Sequence, residues 1–127
     1  MEFALIESSG QFKIEAYREG CIIVNGQSYV DPFIIGPETF IHPWRPSQPK
    51  DITLIDLDPV FRQNPQVVLL GTGNRLQFPS KAISQAFFER GFGIEAMDSR
   101  AACRSYSLLL AEGRNVLAIL FPFGSKY

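Results

Sequence analysis

The sequence predicts one three-layer α/β domain, with a central mixed sheet, flanking helices and an N-terminal β-hairpin layer. Three observations carry this reading. Asn25-Gly26 lies between two strand-like segments, a hairpin signal because both central residues of a type I′ turn take positive φ. Val67-Val68-Leu69-Leu70 is a continuous apolar run, as expected of a strand covered on both faces. Beyond it, short apolar runs alternate with segments whose apolar residues recur at three and four, and that β-α-β-α-β order places a sheet between layers.

The first half reads as β structure. Phe12, Ile14 and Ala16 alternate with Lys13, Glu15 and Tyr17, the period-two pattern of a half-buried strand. Glu19-Gly20 turns the chain into Cys21-Ile22-Ile23-Val24, and residues 27–30 return antiparallel after Asn25-Gly26. Asp31-Pro32 ends that strand, and Phe33-Ile34-Ile35 and Thr39-Phe40-Ile41 supply further β structure. His42-Pro43-Trp44-Arg45-Pro46 and Pro49 make a stiff, extended connector, because each proline pushes its predecessor out of the helical region. Residues 52–57 fit a strand or a helix equally. Asp58-Pro59 reads as the cap and first residue of a short helical turn through Phe61.

In the second half, Gly71-Thr72-Gly73 stops the buried strand, and Pro79-Ser80 starts a helix with Ala82, Ile83, Ala86 and Phe87 on its buried face. Gly91 suits the left-handed position that closes a helix, with Phe92 as the hydrophobic contact beyond it. Ile94 to Met97 is a second short strand. Asp98 and Ser99 are both good caps for a longer helix, in which Ala102, Tyr106 and Leu109 make an apolar line and Arg100, Arg104 and Ser107 a polar one. Gly113 closes that helix, and Val116 to Phe121 is the last apolar strand.

Composition narrows the classes. The 127 residues form a single domain, 1–127, large enough to bury a core without disulfide or metal. A net charge of −1 gives no global basic field to recruit nucleic acid or anionic lipid. Cys21 and Cys103 lie in no metal-ligand spacing, so no metal and no cofactor is expected, only two free thiols in a reducing compartment. Residues 1–10 carry two glutamates and no basic stretch, unlike a signal or transit peptide. The apolar residues 116–123 fall far short of the ~20 that a membrane helix needs. A cytoplasmic chain that does not insert in membrane is expected.

Several blocks together resemble a known family: Trp44 after a proline-rich turn, Leu69-Leu70-Gly71-Thr72-Gly73, residues 97–107 (Met97-Asp98-Ser99-Arg100-Ala101-Ala102-Cys103-Arg104-Ser105-Tyr106-Ser107) and Glu112-Gly113-Arg114. These resemble the small α/β domain family of mitochondrial complex I (NADH dehydrogenase) assembly factor 3 and the adipogenesis-associated domain protein, and this chain is similar to a bacterial-type member. The resemblance implies a three-layer fold with a mixed sheet; it implies no catalytic residues. The sequence departs from the family at Ser99, where Thr is usual, and at Ser107, where Asn is usual.

Two constellations have chemical content. A Gly71-Thr72-Gly73 loop after a central strand can offer amides to an anion, and with Asp98, Ser99 and Arg104 it would form a crevice at the carboxyl ends of two parallel strands. The simpler reading is a tight turn, with Asp98 as a helix cap, since neither a third glycine nor a Gly-Lys-Ser/Thr sequence follows. Trp44, held among prolines, either packs over the sheet or stands out as an interface anchor. The single histidine, His42, has no paired nucleophile and reads as structural. Cys103, near a helix start, has either a slightly lowered thiol pKa or, more simply, a core position. Glu112 is expected in an ion pair, and Arg114 at the last helix carbonyls.

The favoured function is therefore a non-catalytic protein-binding or assembly module, with a protein partner, as a monomer or homodimer. The alternative is an enzyme or sensor for a small anionic metabolite at the Gly71–Gly73, Asp98 and Arg104 crevice.

Overall fold

Asn25 and Gly26 take φ of 47° and 87°, and their turn pairs β2 (Cys21–Val24) with β3 (Gln27–Tyr29). In the computed structural model, which describes residues 10–122, β1 (Ile14–Arg18) completes a three-stranded antiparallel sheet of order β1-β2-β3. The expectation for residues 1–9 and for Phe123 lies outside the described residues.

A bulge changes the alternation expected of β1. Ile14 lies opposite Val24 but Ala16 opposite Ile23, so Glu15 is an extra residue and the side chains beyond it swap faces. Phe12, Ile14 and Tyr17 therefore pack on the core, and Tyr17 takes the place expected of Ala16. The Glu15 carboxylate accepts the Gly26 amide at 2.9 Å, which ties the bulge to the hairpin turn.

The second sheet is mixed, as the sequence predicts. It contains β4 (Phe33–Gly36), β5 (Thr39–Ile41), β6 (Val67–Thr72), β7 (Ile94–Met97) and β8 (Val116–Phe121), in the order β5-β4-β8-β6-β7. β6 runs parallel to β7 and β8, whereas β4 runs antiparallel to β5 and β8. Both faces are covered, which explains the unbroken apolar runs. Leu69 points with Phe33, Ile35 and Leu120 towards the long helix and the small sheet. Val68 and Leu70 point with Ile34 and Ile119 towards the other helices and the connector.

The helices start and stop where capping chemistry places them. Ser80 caps α2 (Lys81–Glu89) by accepting the Ile83 amide, and Asp98 caps α3 (Ser99–Ala111) by accepting the Ala101 amide. Both helices end in the same paired geometry. The Phe92 and Gly91 amides donate to the Phe87 and Phe88 carbonyls, and those of Arg114 and Gly113 donate to Leu109 and Leu110, each at 3.0 Å. Gly91 and Gly113 carry the required positive φ, 78° and 77°.

Some local expectations are corrected. Ala82 is exposed, so the buried face of α2 is Ile83, Ala86 and Phe87. In α3 Leu110 is buried more deeply than Leu109. Arg114 satisfies a late helix carbonyl as expected, through its backbone amide, whereas Glu112 makes no ion pair among the described residues. Residues 52–57 are neither strand nor long helix. A 3₁₀ turn at Ile55–Leu57 runs directly into α1 (Asp58–Arg62), which makes Asp58 the first helical residue rather than the cap.

Candidate functional site

Parallel pairing of β6 and β7, joined through α2, brings residues 71–73 and Asp98-Ser99 to the same end of the sheet. Ser99 is fully buried there. Its amide donates to the Gly73 carbonyl at 2.9 Å, and its Oγ accepts the Gly73 amide at 2.8 Å while donating to the Phe121 carbonyl. One hydroxyl thus links the ends of β6 and β8 to the start of α3.

Thr72 has a parallel role one residue earlier. Its hydroxyl donates to the Arg75 carbonyl at 2.7 Å, lies 3.1 Å from that of Met97, and accepts the Gln77 amide at 3.0 Å. The loop after β6 is therefore shaped from inside by a buried side chain. Gly71 is required by space: a Cβ there would lie 2.6 Å from Leu120 Cδ2 and 2.8 Å from Ala102 Cβ. Gly73 is required by conformation, with φ of 96°.

These contacts determine what the end of the sheet can do. Gly71, Thr72, Gly73, Asp98 and Ser99 come together; Arg104 does not join them. At about 100° per residue it lies ~140° round α3 from buried Ser99, and it is exposed to solvent. The Gly73 amide is directed at Ser99 rather than at open space. The Asp98 carboxylate is used as a cap, accepting the Ala101 amide at 2.9 Å.

Trp44 is not an exposed anchor. It is 6% exposed, its ring lies 6.1 Å from that of Phe121, and its indole N–H donates to the Asp56 carbonyl at 3.1 Å. Its neighbours form a polar knot with no recognisable spacing in the sequence. Arg45 grips the Asp56 carboxylate with Nε at 2.8 Å and with Nη2, while the Thr53 amide and hydroxyl donate to Oδ2 at 2.8 and 2.9 Å. The Arg45 contact, reinforced by those from Thr53, lowers the Asp56 pKa to about 2. Arg45 also donates to the Asp51 carbonyl at 2.7 Å, which pins the proline-rich connector in place.

Cys103 is buried, and burial pushes its thiol up to about 12, the reverse of the lowering a helix start could produce. The Tyr106 hydroxyl donates to the Phe12 carbonyl at 2.7 Å, and burial raises its pKa. His42 packs edge-on against Tyr29, with ring centroids 4.7 Å apart. Among the described residues no cluster of His, Cys, Asp or Glu could hold a metal ion, and no helix is long and apolar enough to cross a membrane. Two open concavities of about 440 and 370 Å³ lie near the other end of the sheet, beside Gln11, Glu38 and Arg114 and beside Lys13 and Ser107.

A further feature has no counterpart among the sequence patterns. Leu54, Ile55, Leu76 and Phe78 are exposed by 49, 85, 49 and 72%. None belongs to a periodic apolar pattern, so nothing in the sequence marks them beyond their size and apolarity.

Comparison with known proteins agrees with this architecture. NADH dehydrogenase [ubiquinone] 1 alpha subcomplex assembly factor 3 of Xenopus tropicalis is 30% identical over 111 residues, 86% of this chain and 60% of that protein. The chain thus spans less than two thirds of that relative. A protein of Francisella tularensis subsp. holarctica, named 13 kDa major membrane protein, is 30% identical over 105 residues, 82% of this chain and 85% of its own. The crystal structure of a Bordetella parapertussis protein superposes with a TM-score of 0.81 at 34% identity, covering 89% of this chain and 97% of that one. Residues 14–121, nearly the whole described domain, match one family throughout, and the chain belongs to it: the family described as Protein of unknown function (DUF498/DUF598).

Proposed function

We propose that this chain is a non-catalytic protein-binding module of the assembly-factor kind, acting in the cytoplasm as a monomer or homodimer. One observation carries the reading: the two buried hydroxyls at the end of the sheet are spent on structure. Ser99 and Thr72 each donate to one backbone carbonyl and accept one backbone amide, and among the described residues no acidic or basic side chain is hydrogen-bonded to either hydroxyl. The curated relatives named as assembly factors point the same way. A net charge of −1 argues for a protein partner over nucleic acid.

The alternative, a small-anion site at Gly71–Gly73, Asp98 and Arg104, requires the Gly73 amide to leave Ser99 and Arg104 to come round from the solvent side of α3. Deletion of the gene in its own host, followed by native gels of the membrane respiratory complexes, tests the proposal. Loss or stalling of a complex is expected. Unchanged complexes, together with a thermal shift of the purified protein by phosphate compounds, would favour the alternative.

A further inference from the structure

We propose that Asn25 is a site of spontaneous deamidation, closed while residues 11–15 are docked on the hairpin turn and open when they leave it. Asn25 is the one asparagine of the chain followed by glycine; the other three precede Pro65, Arg75 and Val116. Gly26 has no Cβ to shield its amide nitrogen from the Asn25 side chain. The chemistry needs only water and hydroxide. The Gly26 nitrogen gives its proton to hydroxide and attacks Asn25 Cγ. The new Cγ–N bond closes a five-membered succinimide as the Cγ–Nδ2 bond breaks, and Nδ2 takes a proton from water and leaves as ammonia. Water then opens the ring at either carbonyl, giving aspartate or isoaspartate, whose main chain is one carbon longer.

Both reacting groups are held in the folded domain. Asn25 Oδ1 accepts the Lys13 amide at 2.8 Å, and Nδ2 donates to the Gln11 carbonyl at 3.3 Å. The Gly26 amide donates to the Glu15 carboxylate at 2.9 Å, and that negative charge opposes formation of the amide anion. Attack requires the Asn25 side chain to leave two partners and the Gly26 amide to leave a third. Asn25 and Gly26 are exposed to solvent, so it is these bonds that close the site.

The clamp is itself anchored from distant parts of the chain. The Phe12 amide donates to the Pro37 carbonyl at 3.1 Å, the Phe12 carbonyl accepts the Tyr106 hydroxyl at 2.7 Å, and the Lys13 carbonyl accepts the Asn25 amide at 3.1 Å. The β4–β5 turn, α3 and the hairpin turn thus hold residues 11–13 together. The β2–β3 hairpin carries the reactive pair, and only its assembly with the other elements shuts it. The change is one-way. Aspartate at 25 has no donor for the Gln11 carbonyl, and isoaspartate lengthens a two-residue turn whose φ of 47° and 87° suit the strands it joins. Each opening that lasts long enough for reaction would therefore leave a permanent mark, a property that goes beyond the binding role and does not depend on it.

Incubation of the full chain in mildly alkaline buffer, with and without urea, followed by peptide mass spectrometry and an isoaspartate assay, tests this. In urea Asn25 should convert to aspartate and isoaspartate, whereas Asn115, which precedes the β-branched Val116, should not. The folded wild type should convert about tenfold or more slowly, because reaction runs through the small open fraction. Glu15→Ala frees the Gly26 amide, and Tyr106→Phe removes the anchor at the Phe12 carbonyl. Each should raise the rate in the folded protein several-fold and leave the rate in urea unchanged. Leu108→Ser, at an exposed position on α3, should alter neither rate. Melting curves check that the variants are folded, and Glu15 is exposed, so its variant keeps the test open if Tyr106→Phe is not. A folded wild-type rate within about twofold of the rate in urea would overturn the closure. A folded Glu15→Ala that converts no faster than the wild type would overturn the assigned clamp, and no conversion in urea would remove the site.

Discussion

The Ser99 hydroxyl ties the Gly73 amide to the Phe121 carbonyl, and so joins the end of one parallel strand to the end of its neighbour across 26 and 22 residues of sequence. Ser99 is fully buried, so removing that oxygen strands the Phe121 carbonyl and takes from the half-buried Gly73 amide its partner. Ser99→Ala should therefore cost ~1–3 kcal/mol in denaturant unfolding. A variant as stable as the wild type would show that the two groups find other partners.

Gly71 tests packing at the same place. A methyl group there meets Leu120 and Ala102 side chains at 2.6 and 2.8 Å, with Ser99 Oγ at 3.1 Å. Both close carbons belong to the packed core beneath α3, where there is little room to yield. Gly71→Ala is expected to destabilise the domain by ~1–3 kcal/mol, measured from the unfolding midpoint at constant m.

The Asp56 knot predicts a pH dependence. The Asp56 pKa is lowered from 3.8 to about 2, first by the hydrogen bond from Arg45. A lowered carboxylate pKa contributes stability that is complete above about pH 4 and is lost as pH falls through about 2. The melting temperature of the wild type should exceed that of Asp56→Asn by a constant margin from neutral pH down to about 4, and the margin should shrink below it. A margin that stayed constant down to pH 2 would mean that Arg45 does not hold the ionised carboxylate.

Cys103 should be inert in the native state. Burial holds its thiol near 12, so almost no thiolate forms at neutral pH. Alkylation of the folded protein followed by mass spectrometry should leave Cys103 unmodified, and modification should appear on denaturation. Rapid native labelling would show that the α3 face opens.

Much of the fold was legible in the sequence because its instructions are local. Asn25-Gly26 specifies positive φ at two successive positions, Ser80 and Asp98 offer side-chain oxygens to amides three residues ahead, and Gly91 and Gly113 permit the left-handed closure. The unbroken apolar runs at 67–70 and 116–121 required cover on both faces, and the two core layers supply it.

What tertiary structure alone decided is everything that depends on which distant groups become neighbours. The Glu15 bulge turns Tyr17 rather than Ala16 inward because of its register against β2. Trp44, open between core and interface in the sequence, is buried because Phe121 and the Asp56 carbonyl meet it from 77 and 12 residues away. Arg104 looks close to the glycine loop in a linear reading, yet the pitch of α3 carries it to the solvent side. Backbone propensity acts over a few residues. Partner choice for Ser99, Asp56 and Trp44 is settled only when the sheet has brought their segments together.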